Sequence, residues 1–160
     1  MGYENRQDIP VKYTWDLSAI YPDEALLEKD CATASELIGK IKAYEGRLNN
    51  EKDIYELLKL VGDIDEHLEK ALCYTHMKMD EDSKNTDVQA LKDKVMSINN
   101  KFGVAFSFVQ PELSKLDEKT LDAIMAKPEF KKYNSVLRKI KAGKAHVLSA
   151  EAEELSLIHI

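Results

Sequence analysis

Apolar side chains recur along the middle of this chain at intervals of three, four and seven. That spacing puts them on one face of an α-helix. From about Asp23 to Leu48 the stripe is Leu27, Cys31, Ala34, Ile38, Ile41 and Leu48, with Leu37 and Tyr44 widening it. Pro22 stands where it would open this helix, and Asp23, Glu24 and Glu28 put acids near its positive end. A clearer stripe follows: Ile54, Leu57, Leu58, Val61, Ile64, Leu68, Ala71, Leu72, Thr75 and Met79. Asn50 is placed to cap it, with Asp53 three on in an imperfect capping box. Gly62 in its middle costs about 1 kcal/mol relative to Ala unless a close helix crossing needs it. The third stripe is Val88, Leu91, Val95, Ile98, Phe102, Ala105 and Val109, with Thr86 as cap, Gln89 completing its box and Pro111 as the stop. The pattern thus predicts long helices near 23–48, 51–80 and 86–109. Short connections make neighbours antiparallel.

The flanks read differently. Pro10 and Pro22 hold Ile9 and Tyr21 away from helical backbone. The apolar and aromatic residues between them predict an extended strap laid over the helices, with Trp15 as its buried anchor. Asp16–Ile20 is compatible with one helical turn. Beyond Pro111, Asp117 caps a short helix, and Pro128 opens another through Phe130, Tyr133, Leu137 and Ile140, with Gly143 as its C′ residue. Ser149 caps one more helix. The hydrophobic run Leu155–Ile160 resembles a translated adapter repeat, so a truncated chain with a non-native tail is expected. The predicted fold is all-α: an antiparallel helical bundle with an extended amino-terminal strap. Its parts are the strap (1–22), three long helices (23–109), shorter helices (110–154) and the tail (155–160).

Composition narrows the function classes. The 160 residues are 44% apolar and 32% charged, which suits one globular domain or one and a piece. A formal net charge of −6 argues against non-specific binding to nucleic acid or to an anionic membrane. No run approaches the ~18 apolar residues of a membrane span. The polar start is no signal peptide, and Cys31 and Cys73 read as free, buried thiols of a reducing compartment. A cytoplasmic protein is the expectation.

Candidate chemistry is sparse. The four histidines are His67, His76, His146 and His159, and no two stand four apart, so there is no H-E-x-x-H zinc helix. Phosphate-binding G-x-x-x-x-G-K-S/T and G-x-S-x-G elbow patterns are absent too. Cys73 and His76 share a helical face as half of a zinc site. His67 lies elsewhere on that helix, and Cys31 brings the ligands to three at best. Packing plus a surface histidine is the better reading. Asp63 and His67 are placed to pair on an exposed face, and the acids from Asp63 to Asp82 read as a solvated face. Ile64 and Cys73 stand three before His67 and His76, which breaks the Glu-x-x-His pattern of a di-iron bundle. Tyr44, Tyr55, Tyr74 and Tyr133 either line a groove or border the core. Phe102, Phe106 and Phe108 suggest an apolar face awaiting more protein. No catalytic, cofactor-binding or metal-binding residue is assigned.

Two segments carry a resemblance. One is Tyr13-Thr14-Trp15-Asp16-Leu17-Ser18-Ala19-Ile20-Tyr21-Pro22, preceded by Arg6 and Ile9-Pro10. The other is Ala145-His146-Val147-Leu148-Ser149 followed by Glu151 and Glu153-Glu154, with Ile41–Leu48 between the two. Together they resemble the amino-terminal region of oligoendopeptidase F, of the thimet-type zinc metallopeptidases. The resemblance implies a cytosolic parent enzyme that hydrolyses short peptides in a deep channel, walled or lidded by these helices. Its zinc, its H-E-x-x-H helix and a further Glu ligand belong to a downstream catalytic region, so this stretch is expected to be inactive alone. His146 matches a family histidine that is not a zinc ligand. The competing reading is a free-standing helical interaction or scaffold module.

Overall fold

Helix ends are where local sequence and distant packing meet, and they define this architecture. A computed structural model describes residues 8–144. Six α-helices run through them: α1 (Glu24–Ile41), α2 (Glu51–Glu81), α3 (Thr86–Phe106), α4 (Val109–Ser114), α5 (Glu118–Met125) and α6 (Asn134–Gly143). No strand occurs among the described residues, and the fold is the all-α antiparallel bundle that the stripes predict. His146, the helix expected after Ser149 and the tail from Leu155 lie outside the described residues.

α2 matches its stripe closely because its signals are local. Asn50 Oδ1 accepts from the Asp53 backbone N–H at 3.0 Å. Asp53 returns the contact by accepting from Asn50 Nδ2 at 2.8 Å and from the Arg47 guanidinium at 2.8 and 3.2 Å. Hydrogen bonding from Asn50, then the bond and charge of Arg47, hold the Asp53 carboxyl below its ordinary value against the opposing pull of burial.

Elsewhere the caps move by a residue. Asp23, not Pro22, opens α1: its carboxylate accepts from the Leu26 N–H at 2.9 Å. Asn85, not Thr86, caps α3, accepting from the N–H groups of Asp87 and Val88 at 3.0 and 3.2 Å. Asp117 caps α5 as expected, accepting from the Thr120 N–H at 2.9 Å.

Two long helices stop early. α1 gives way at Lys42–Tyr44 to a 3-10 turn, and Gly46 takes a φ of 77°, which favours glycine. The chain then turns so that the N–H groups of Gly46 and Leu48 both donate to the Glu112 carboxylate. α3 stops at Phe106 although Pro111 lies further on. A proline ring clashes with the carbonyl four residues back, here that of Ser107, so the break falls there. The Ser107 hydroxyl also donates to the Val104 carbonyl at 2.8 Å, competing with the helix ladder. Pro111 itself sits in the first turn of α4, where a missing N–H costs little. Gly143 is no left-handed C′ residue, because α6 runs through it. A Cβ there would come within 2.9 Å of Gln110 Nε2, so its smallness serves a close approach.

The residues fall into two compact units. The first comprises residues 8–36 and 64–99, the second residues 37–63 and 100–144, so α1, α2 and α3 each contribute to both. In the first, Leu27, Ala34, Ile64, Ala71 and Val95 are at most 1% exposed, and antiparallel α1 and α2 are joined by Lys78–Glu24 and His67–Asp30 contacts. In the second, Leu113, Leu121, Phe130 and Leu137 are buried as α4, α5, α6 and the 3-10 segment Pro128–Tyr133 pack together. Phe108 belongs to the buried set, so the expected apolar face shrinks to half-buried Phe102 and Phe106, whose rings lie 5.8 Å apart.

The strap is corrected most. It contains 3-10 turns at Val11–Tyr13 and Leu17–Ala19, and Trp15 is 51% exposed. Tyr21 is the buried anchor, at 2% exposure. Tyr21 has a partner for its hydroxyl inside the protein, and this, rather than ring size, separates it from Trp15.

Candidate functional site

The densest polar cluster in the first unit surrounds Asp30 on α1. The Tyr21 hydroxyl donates to Asp30 Oδ2 at 2.7 Å, His67 Nδ1 on α2 lies 3.0 Å from Oδ1, and Lys70 Nζ lies 3.7 Å from Oδ2. The Tyr21 ring meets Tyr74 edge-on at 5.2 Å, and the Lys70 ammonium stands 4.2 Å from the Tyr21 centroid. Burial pushes the Asp30 carboxyl up. Hydrogen bonds from Tyr21 and His67, with the charges of His67 and Lys70, outweigh it, and the net shift is downward. Burial, then the bond to Asp30, pushes the Tyr21 phenol above its ordinary range. A carboxylate held ionised by three partners is a poor proton acceptor. This is a clasp across α1 and α2, not an acid–base pair.

The expected Asp63–His67 pair does not form, because His67 turns to Asp30 instead. The periodicity of α2 finds His67 but has no means of finding a partner on another helix. Cys73 is exposed rather than buried, with Sγ 3.8 Å from Met77 Sδ, and His76 is exposed beside it. Cys31 is buried, and burial raises its thiol, which makes it inert. Among the described residues no group of three or more His, Cys, Asp or Glu side chains is placed to hold a metal ion. The donor set here does not fit zinc. Tyr74 and Tyr133 are buried and Tyr44 and Tyr55 half-buried, so the tyrosines border the cores.

A cleft of about 430 Å³ lies in the first unit among Glu24, Lys78, Asn85, Leu91 and Lys94. Its lysines are committed: Lys78 donates to Glu24 at 2.9 Å and to the Tyr74 hydroxyl at 3.1 Å, and Lys94 to Glu28. Burial pulls Lys78 down, but those two partners outweigh it and raise it overall. No helix among the described residues is long and apolar enough to cross a membrane.

The described residues therefore define an all-helical arrangement clasped by charged pairs, among which no metal-holding group of His, Cys, Asp or Glu donors is placed. The sequence profile of oligopeptidase F matches residues 112–156, a stretch that contains His146 to Ser149. The chain is 32% identical over 154 residues to the group B oligopeptidase PepB of Streptococcus agalactiae, covering 95% of this chain and 26% of that protein. It is 30% identical over 153 residues to the oligopeptidase PepF of Bacillus subtilis, covering 94% and 23%. The crystal structure of oligoendopeptidase-F from Enterococcus faecium superposes with a TM-score of 0.76 at 26% identity, over 84% of this chain and 27% of that one. Over nearly its whole length the chain is similar to members of the oligopeptidase F family, consistent with the amino-terminal part of such a protein. It spans about a quarter of the length of the curated relatives it matches.

Proposed function

We propose that this protein supplies the amino-terminal helical wall or lid of an oligoendopeptidase F-type zinc metalloendopeptidase that acts on short peptides. The zinc, its ligands and the general base reside in a carboxy-terminal catalytic region, which is this chain's principal partner. The observation that carries the reading is the match over 154 residues, 95% of the chain, to a relative named as an oligopeptidase, of which those residues make up only 26%. Zinc hydrolysis needs ligands, an open coordination position and a base in one place. The His67–Asp30 clasp and the exposed Cys73 and His76 do not assemble that set.

A chimaera tests this. The chain replaces the matched stretch of the Streptococcus agalactiae oligopeptidase, and cleavage of fluorogenic short peptides is measured. Retained, zinc-dependent cleavage supports the wall-or-lid reading. A folded, zinc-loaded chimaera that cleaves nothing favours the free-standing interaction module. The 160-residue chain alone should turn over no peptide with or without zinc. Turnover abolished by His67→Ala or His76→Ala would overturn the assignment of catalysis to the other region.

A further inference from the structure

Cysteine is among the residue types most often buried, yet Cys73 is exposed on α2. Its neighbours set which way it faces. Tyr74 and Thr75 turn into the core, at 5% and 0% exposure. The Tyr74 ring is met edge-on by Tyr21, and the Thr75 hydroxyl donates to the Ala71 and Leu72 carbonyls at 2.9 and 3.1 Å. Residues three and four apart share a helical face, so Cys73, His76 and Met77 stand together on the outer one. Cys73 and His76 are exposed there, and Met77 is half-buried. The helix is unbroken through all three.

Spacing alone pairs Cys73 with His76, and the structure adds Met77. Its Sδ lies 3.8 Å from Cys73 Sγ. First-row metal–sulfur bonds run to about 2.3 Å, and two sulfurs that far from one ion at a tetrahedral angle stand about 3.8 Å apart. The pair already has the spacing of two ligands on a single ion. Its chemistry chooses the ion. Zinc takes thiolate, imidazole and carboxylate, whereas a thiolate with a thioether favours the softer Cu(I). Lys70, three residues before Cys73, is drawn elsewhere. Its ammonium lies 3.7 Å from the Asp30 carboxylate and 4.2 Å from the Tyr21 ring centroid. Cys31, the other thiol, is buried on α1.

We propose that Cys73, Met77 and His76 form a surface site for a soft monovalent cation, Cu(I), held by the two sulfurs and completed by the imidazole. On binding, the Cys73 thiol gives its proton to solvent and the thiolate bonds the metal. Copper arrives and stays as Cu(I), so no electron is transferred. The inference is independent of the peptidase reading.

The 160-residue protein is titrated under nitrogen with the acetonitrile complex of Cu(I), in competition with bathocuproine disulfonate, whose copper complex is coloured. The expected result is one Cu(I) per chain, with near-ultraviolet absorption from the copper–thiolate bond. Met77→Leu keeps an apolar side chain of similar volume and should leave circular dichroism unchanged. It should weaken Cu(I) binding at least roughly tenfold and leave Zn(II) affinity as it was. Cys73→Ser should abolish the absorption, His76→Gln should weaken binding as well, and Cys31→Ser should change nothing. Equal Cu(I) affinity in the parent chain and Met77→Leu would reduce the site to an exposed thiol acting alone and overturn the proposal. So would Cu(I) retained by Cys73→Ser, or one Cu(I) bridging two chains.

Discussion

Phe130 and Tyr21 anchor the two units by different physics. Phe130, in the second unit, has no exposed surface, and its ring meets Tyr55 edge-on at 5.5 Å. Tyr21, in the first, is almost as buried, but its hydroxyl ends on the Asp30 carboxylate at 2.7 Å, with Lys70 over its ring. The first anchor is apolar, so its contribution follows buried surface and is indifferent to protonation. The second ties a ring to a titrating group, so its contribution follows pH as well. A unit held in the second way can be loosened by acid without any change in packing.

The largest effect should come from the apolar anchor. Phe130→Ala should cost about 3–5 kcal/mol, read as a lowered midpoint in chemical denaturation. The loss should be the same near neutrality and in mild acid. A cost below about 1 kcal/mol would mean that the second unit has no single core around this ring.

The polar anchor should give a smaller, pH-linked loss. Tyr21→Phe keeps the ring and removes the donor to Asp30, at a cost of about 1–3 kcal/mol. Trp15→Ala, in the same segment, should cost less than about 1 kcal/mol, because Trp15 is half exposed. Asp30 sets the sign of the pH dependence. Its carboxyl is depressed in the folded state by Tyr21, His67 and Lys70, against burial. Its stabilisation is therefore complete above the unfolded value of about 3.9 and is lost as the pH falls through the folded one. Asp30→Asn should flatten the acid limb of a stability–pH curve, while Phe130→Ala leaves that limb's shape unchanged. An Asp30→Asn curve with the full acid limb would show that the clasp carries none of it.

What the sequence disclosed followed the range of each signal. α2 was legible almost to the residue because its stripe and the Asn50–Asp53 cap are local. The ends of α1 and α3 were not. One depends on Glu112 arriving from far along the chain, the other on Pro111 acting on the carbonyl of Ser107. The Asp30–His67 pair joins two helices across 37 residues, and helical spacing cannot choose such partners. Trp15 turns outward and Tyr21 inward, a choice for which an aperiodic segment carries no signal. The family was legible through residues flanking the helices, one set of which, around His146, lies outside the described residues.

The smallest effect is expected at Gly62, on α2 and remote in kind from both anchors. Gly62 sits in mid-helix with ordinary φ, and a Cβ built on it meets nothing within 4 Å. Among the described residues no helix crosses close to it. Gly62→Ala should therefore stabilise by about 0.5–1 kcal/mol through helix propensity alone, raising Tm by roughly 1–4 °C. Gly46→Ala is the opposing control, because its φ of 77° forces a side chain into strain and should lower Tm. Placed in the peptide-cleaving chimaera, Gly62→Ala gains a second meaning. If the gain of the isolated chain turns into a loss there, another surface closes on this face of α2, and the glycine is kept for that contact. An equal gain in both settings would leave Gly62 facing water and place the partner's contacts elsewhere.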